Sequence, residues 1–300
     1  MAAMSDVLTN FSNDLADTVA AAGQSVVRVE GRRRMAASGF IWSADGVIVT
    51  AHHVVERDDN LKIGLASGET VTATLVGRDP STDLAVLKVD AVGLTALRHD
   101  SFDALRVGHL VLALGRPGKD VNVTLGIVSA LGDAWQSSLG GKVDRYLQTD
   151  VTMFPGFSGG PLVGMDGQVL GFNTSAMRDI SLTIPVPTLS RVVASLLKHG
   201  KVQQGYLGIG SQPVKLPDAQ REAFQQETGL LIASVEAESP AARSGLFLGD
   251  TLINLSGKPT RTTDELSALL GSDSVNTTVP ATVLRGGQVH TVSVTIGERG

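Results

Sequence analysis

Apolar residues near the start of the chain, Val7, Leu8, Phe11, Leu15, Val19 and Ala22, fall at roughly helical spacing and predict a helix over residues 4–22. Two destinations are open to its apolar side: the helix's own domain, or a neighbouring subunit. Beyond Ser25 the pattern changes to short apolar runs broken by Gly, Pro and Asp. These runs, at 25–29, 37–42, 46–51, 84–89, 107–114, 122–131, 146–149 and 168–172, read as strands joined by turns. Residues 132–144, GDAWQSSLGGKVD, read as a Gly/Ser-rich loop. Helical period returns at Leu189, Val192, Val193, Leu196 and Leu197, in a helix over 188–199 that stops near Gly200. After it come strands at 229–235, 251–255, 278–284 and 288–296. Two short helices interrupt them, one capped by Ser239 with Pro240 at its first position and one expected to be capped by Thr263. The pattern divides the chain into an N-terminal arm (1–22), a large β domain (23–197), a linker (198–204) and a small β domain with two helices (205–300).

The chemistry gathers in the large domain. Residues 149–163, TDVTMFPGFSGGPLV, place Ser158 between glycines. A serine hydroxyl needs a base to take its proton and donors to hold the oxyanion it creates. Gly156-Phe157-Ser158-Gly159-Gly160 also fits the G-x-S-x-G elbow of α/β-hydrolases, but that motif requires a helix after the serine and its acid and histidine downstream. Here Asp166-Gly167 signals a hairpin, and the best histidine and aspartate lie upstream, in the order of chymotrypsin-like proteases. A strand ending at Ala51 runs into His52-His53, of which His53 is the favoured base and His52 a structural neighbour. Asp83 stands at the entrance of an alternating strand, where a partly buried carboxylate needs a partner such as an imidazole N–H; Asp79 reads as the cap of the same turn.

Composition narrows the function classes. A net charge of −5 with pI ≈ 5.7 gives no overall pull toward nucleic acid, and Arg32-Arg33-Arg34 reads as a solvated hairpin tip. The absence of cysteine excludes disulfides, thiolate metal sites and a cysteine nucleophile. No apolar run is long enough to span a membrane, and the N-terminus lacks the basic and apolar regions of a secretory signal. The compartment is therefore open: cytoplasmic if the chain is complete, periplasmic if an export segment has been removed.

These motifs together resemble the HtrA (Deg) family of ATP-independent serine proteases over roughly residues 20–298. Thr50-Ala51-His52-His53-Val54-Val55 is similar to the family's T-N-x-H-V-V, Thr82 to Lys88 matches T-D-L-A-V-L-K, and Gly156 to Leu162 matches G-N-S-G-G-P-L. Gly205-Tyr206-Leu207-Gly208-Ile209 looks like the entry to a PDZ domain. The resemblance implies a mainly β protein, a chymotrypsin-like double six-stranded β-barrel followed by a small PDZ β-sandwich with two helices. It implies catalysis by His53, Asp83 and Ser158, with backbone N–H groups of Gly156 and Ser158 as the oxyanion hole. The implied substrate-binding set is Thr152, Phe157, Asn173, Thr174, Ser175 and Ala176, and Tyr206, Leu207, Gly208 and Ile209 would bind C-terminal peptides. Thr152, at the implied base of the pocket, is neutral, which favours small or medium apolar residues before the scissile bond. Unfolded polypeptides are the implied substrates, a homotrimer or larger homo-oligomer the implied assembly, and neither cofactor nor metal is expected. Phe157 stands where the family usually has Asn, and Ala51 replaces another Asn. Phe157 is also the only feature that favours the alternative, a catalytically locked chaperone or peptide-binding scaffold.

Overall fold

The computed structural model describes residues 2–33, 35–99, 102–137, 139–175, 182–271 and 274–298. The chain forms two compact units, Met1–Lys201 and Val202–Gly300.

The first unit opens with helix α1 (Ala2–Gly23). Its second half packs on its own unit. Leu15, Thr18, Val19 and Ala22 turn toward the unit's own body, with Thr18 Oγ1 donating to Met165 O at 3.1 Å. Val7, Leu8 and Phe11 stand in solvent, 66%, 64% and 40% exposed. Strands β1 (Val26–Glu30), β2 (Ala37–Ser43), β3 (Val47–Ala51), β4 (Leu61–Gly64), β5 (Thr70–Asp79) and β6 (Leu84–Val89) close into a barrel in the order β1-β2-β3-β6-β5-β4. Then follow β7 (Leu110–Gly115), β8 (Asn122–Gly132), a two-stranded hairpin of β9 (Trp135–Gln136) and β10 (Lys142–Val143), β11 (Tyr146–Thr149), β12 (Pro161–Gly164), β13 (Val169–Thr174) and β14 (Leu182–Pro185). The second barrel closes as β11-β14-β13-β12-β7-β8. Strands β3 and β6 are nearly all buried, as continuous apolar runs such as VIVTA and LAVL require in a closed barrel. Each large side chain enclosed there contributes about 1.5–3 kcal/mol.

Helix α2 (Val186–His199) begins two residues earlier than its apolar period suggests, because Pro187, in its first turn, already has a helical φ. Within the expected Gly/Ser loop, Trp135–Gln136 and Lys142–Val143 pair as strands, and Ser137 Oγ donates to Ser81 O at 2.6 Å. Arg116 is 6% exposed and donates to three backbone carbonyls, of Gly23, Val26 and Lys119. Burial lowers its guanidinium pKa, with Asp120 opposing the effect.

The second unit contains β15 (Gly205–Tyr206), β16 (Ile209–Lys215), α3 (Asp218–Phe224), β17 (Thr228–Val235), α4 (Pro240–Ser244), β18 (Thr251–Leu255), β19 (Lys258–Pro259), α5 (Thr263–Leu269), β20 (Thr278–Arg285), β21 (Gln288–Thr295) and β22 (Gly297–Glu298). Its main sheet runs β16-β17-β18-β20-β21, with β19 paired to β18, and β15 pairs with β22. Two corrections to the sequence reading arise here. A third helix, α3, is present, and it buries none of its residues. The cap of α5 is Thr262, not Thr263: its hydroxyl accepts from Glu265 N at 3.2 Å, in a Thr-x-x-Glu capping arrangement. Ser239 caps α4 as its sequence suggests. At the sheet edge the buried Asp250 pairs with Arg285 at 2.7 Å. Burial alone would raise that carboxyl, but hydrogen bonds from Arg285 and from Phe247 N–H outweigh it and hold the pKa below its ordinary value.

Candidate active site

Strand β3 ends at Ala51, and a single 3₁₀ turn, His52–Val54, lifts the two histidines off the first barrel. The turn is pinned from below, since Val54 is fully buried and His52 N donates to Asp83 O at 2.8 Å. Asp83 sits at the entrance of β6 with φ +55°, a left-handed conformation that Asp tolerates better than most residues. Asp79 holds the turn before it, accepting from Ser81 N at 3.0 Å and from Thr82 Oγ1 at 2.6 Å. Asp83 is thereby free to face the histidine. Its Oδ1 accepts from His53 N at 2.9 Å and its Oδ2 lies 2.8 Å from His53 Nδ1. Thr174 Oγ1, at the end of β13 in the second barrel, donates to the same Oδ2. A carboxylate 3% exposed thus has three donors, which is what burying a charge demands.

Ser158 is held by the ends of strands from both barrels. Ser38 N, in β2, donates to Ser158 O at 3.1 Å, and Ser38 Oγ donates to Gly156 O at 2.7 Å. From β13, Asn173 O accepts from Gly159 N and Asn173 N donates to Gly160 O, each at 2.9 Å. Gly156 (φ +90°) and Gly159 (φ +87°) make the turn. A Cβ at Gly159 would lie 2.1 Å from Ser38 O, so no other residue fits there. Among the described residues, neither the Gly156 N–H nor the Ser158 N–H has an acceptor within the protein. Ser158 Oγ meets Ser175 Oγ at 3.0 Å. No hydrogen bond among the described residues joins it to the His53 imidazole.

The other expected site residues divide. Thr152 is exposed, and its carbonyl accepts from Thr124 Oγ1 at 3.0 Å. Phe157 was expected to contact substrate, and its placement corrects that reading. It is 0% exposed, packs into the second barrel's core and meets Phe154 edge-on at 5.8 Å, so its side chain presents no surface. Asn173 and Thr174 are 1% exposed, which leaves Ser175 as the exposed side chain of that segment; Ala176 lies outside the described residues. The sequence reading did not single out Ser38, whose contacts are far away along the chain. In the second unit, Leu207 points into the core and offers only backbone. Ile209, Ser211, Thr263, Leu266, Ser267 and Leu270 line a cavity of about 270 Å³ between β16 and α5. At its end Gly208 turns with φ +76°, Tyr206 Oη donates to Glu236, and among the described residues the Leu207 and Gly208 N–H groups have no acceptor.

His52 packs beside the pair, and its Nδ1 is buried with no partner among the described residues. Burial pushes its imidazole below the ordinary 6.5, with Arg78 and His53 assisting against the opposite pull of Asp83. The unfolded chain therefore binds this proton more readily than the folded one. Stability falls as pH drops below about 6.5 and levels off below the depressed folded value. The melting temperature of His52→Gln, followed from pH 8 to pH 5, should decline less steeply than that of the wild type; equal slopes would refute the assignment.

A trypsin-like peptidase domain matches residues 37–172, and a PDZ domain matches residues 205–296. The "Probable periplasmic serine endoprotease DegP-like" of Halomonas elongata is 38% identical over 273 residues, which are 89% of this chain and 57% of that protein. Its namesake from a Marinomonas species is 37% identical over 284 residues, 92% of this chain and 60% of that protein. The chain thus spans somewhat over half the length of these curated relatives. Among solved structures, the HtrA-type protease AlgW with a decapeptide superposes with a TM-score of 0.80 at 29% identity, over 95% of this chain and 99% of its own. The serine endoprotease from Yersinia pestis gives 0.78 at 31% identity, over 95% and 98%. With two closed six-stranded barrels followed by a PDZ domain, the chain belongs to the HtrA-type serine proteases.

Proposed function

We propose that this chain is an ATP-independent endopeptidase acting on unfolded polypeptides through an acyl-enzyme. The observation that carries the proposal is the bond between His53 Nδ1 and the buried Asp83 carboxylate, tied by Thr174-Ser175 to the Ser158 hydroxyl. His53 takes the Ser158 proton as Oγ attacks the substrate carbonyl, and later delivers it to the leaving amine. Asp83 holds the imidazole orientation and stabilises the imidazolium. The free N–H groups of Gly156 and Ser158 receive the oxyanion, each such donor contributing about 2.7–4 kcal/mol to the transition state. The PDZ groove takes an extended C-terminal peptide as an added strand on β16, with its carboxylate on the amides near Tyr206 to Gly208. Exposed Val7, Leu8 and Phe11 suit burial against another copy in a homotrimer.

The primary pocket, with Thr152 at its base and Ser175 on its wall, carries no charge. Asp150, the nearest carboxylate upstream, is engaged by Ile127 N–H at 2.6 Å. A bound Lys or Arg side chain would be left unpaired, at a cost of several kcal/mol. Fragments of unfolded casein, sequenced by mass spectrometry, should therefore end mainly in Val, Ala, Ile or Leu. A majority ending in Lys or Arg would overturn the specificity.

A further inference from the structure

Ser175 places a second hydroxyl in the site. It follows Thr174, so two consecutive residues at the end of β13 touch two parts of the machinery: Thr174 holds the Asp83 carboxylate and Ser175 holds the Ser158 hydroxyl. The backbone places the two residues. The two backbone bonds between Asn173 and the Gly159-Gly160 turn fix the end of β13 against the nucleophile loop.

A serine hydroxyl carries one proton and donates one hydrogen bond. Among the described residues Ser158 Oγ has a single hydrogen-bond partner, Ser175 Oγ, and the His53 imidazole is not bonded to it. We propose that Ser175 is a positioning residue that accepts the Ser158 hydroxyl proton in the resting enzyme, so that this bond must break before His53 can act as base. The proposal rests on Ser158 being the nucleophile. Ser175 then lowers the basal reactivity of the site, and a substrate seated in the pocket restores it by reorienting the hydroxyl.

The test is covalent labelling by a small alkyl fluorophosphonate. Ser158 Oγ forms a bond to phosphorus, fluoride leaves, and His53 takes the hydroxyl proton. Removing one neutral hydrogen bond from the resting state should speed labelling of Ser175→Ala by about 2- to 12-fold. Ser175→Thr keeps a hydroxyl acceptor and should label more slowly than Ser175→Ala. The bond to be broken does not titrate, so the midpoint of the pH–rate profile should stay in place while its plateau rises. On short peptide substrates, kcat/KM should rise by the same factor for Ala and for Leu before the scissile bond.

Labelling of Ser175→Ala at or below the wild-type rate would overturn the proposal, and so would a gain that depends on the residue in the pocket or a shifted midpoint. Failure of the underlying reading looks different: wild type fails to label, or Ser158→Ala still labels, and the proposal falls with it. Ser175 is exposed and has no other described hydrogen bond, so the alanine variant should fold; an unchanged melting temperature checks this.

Discussion

Ser158→Ala is expected to lower turnover of unfolded casein on the order of 10⁶-fold, the scale seen when a serine protease loses its nucleophile. The change removes one oxygen and leaves its frame intact. Ser38 still binds the Gly156 and Ser158 carbonyls, the Asn173 pair still holds Gly159 and Gly160, and the Gly156 and Ser158 amides keep no acceptor among the described residues. Hence the variant should keep its fold and its affinity for unfolded chains, with a melting temperature close to that of the wild type. Any residual rate would come from the oxyanion donors and binding alone, worth about 10³–10⁴ over water. Casein carrying a fluorescent label reports the rate directly. Cleavage within tenfold of the wild type would dismiss Ser158 as nucleophile. Loss of folding together with activity would point to a structural role, which the single hydroxyl contact of Ser158 argues against.

Much of this architecture was legible in the order of residues because closed barrels impose a strong pattern. Runs such as VIVTA and LAVL are buried on both faces, and Gly or Asp marks their ends. His53, Asp83 and Ser158 stood out because their chemistry is scarce and their order informative. What stayed hidden has physical reasons. Helix α3 has no fully buried residue and packs through Phe224 alone on a small cluster, so it leaves no apolar period to read. Strands β9 and β10 are two residues each and are ordered by a contact from Ser137 to Ser81, 56 positions away. Thr262 and Thr263 are chemically alike, and only the glutamate three positions after Thr262 separates them as caps. Phe157 looked like a residue facing substrate, yet a turn between positive-φ glycines aims it inward onto the second barrel's core. Ser38 binds Gly156 from 118 positions upstream, a distance at which no local pattern carries information.

Asp83→Asn is expected to lower kcat by about 10⁴-fold with most of the stability retained. The backbone favours this test, because Asn tolerates the left-handed φ of +55° as well as Asp does, whereas Ala would add strain. The hydrogen bonds predict the loss. Oδ1 accepts from His53 N, and an amide oxygen in that place keeps the bond. The amide NH₂ then stands where Oδ2 now accepts from both His53 Nδ1 and Thr174 Oγ1. Two donors facing a third cannot coexist, so His53 must place its proton on Nε2 and leave Nδ1 as acceptor. A ring protonated on Nε2 cannot remove a proton from Ser158. The defect should ease at alkaline pH, where hydroxide substitutes for the missing base. A pH–rate profile therefore separates this account from simple unfolding. A variant with normal kcat at neutral pH would mean that His53 does not depend on Asp83 for its tautomer. One that melts many degrees lower would mean that the three donors around this carboxylate serve the fold before the chemistry.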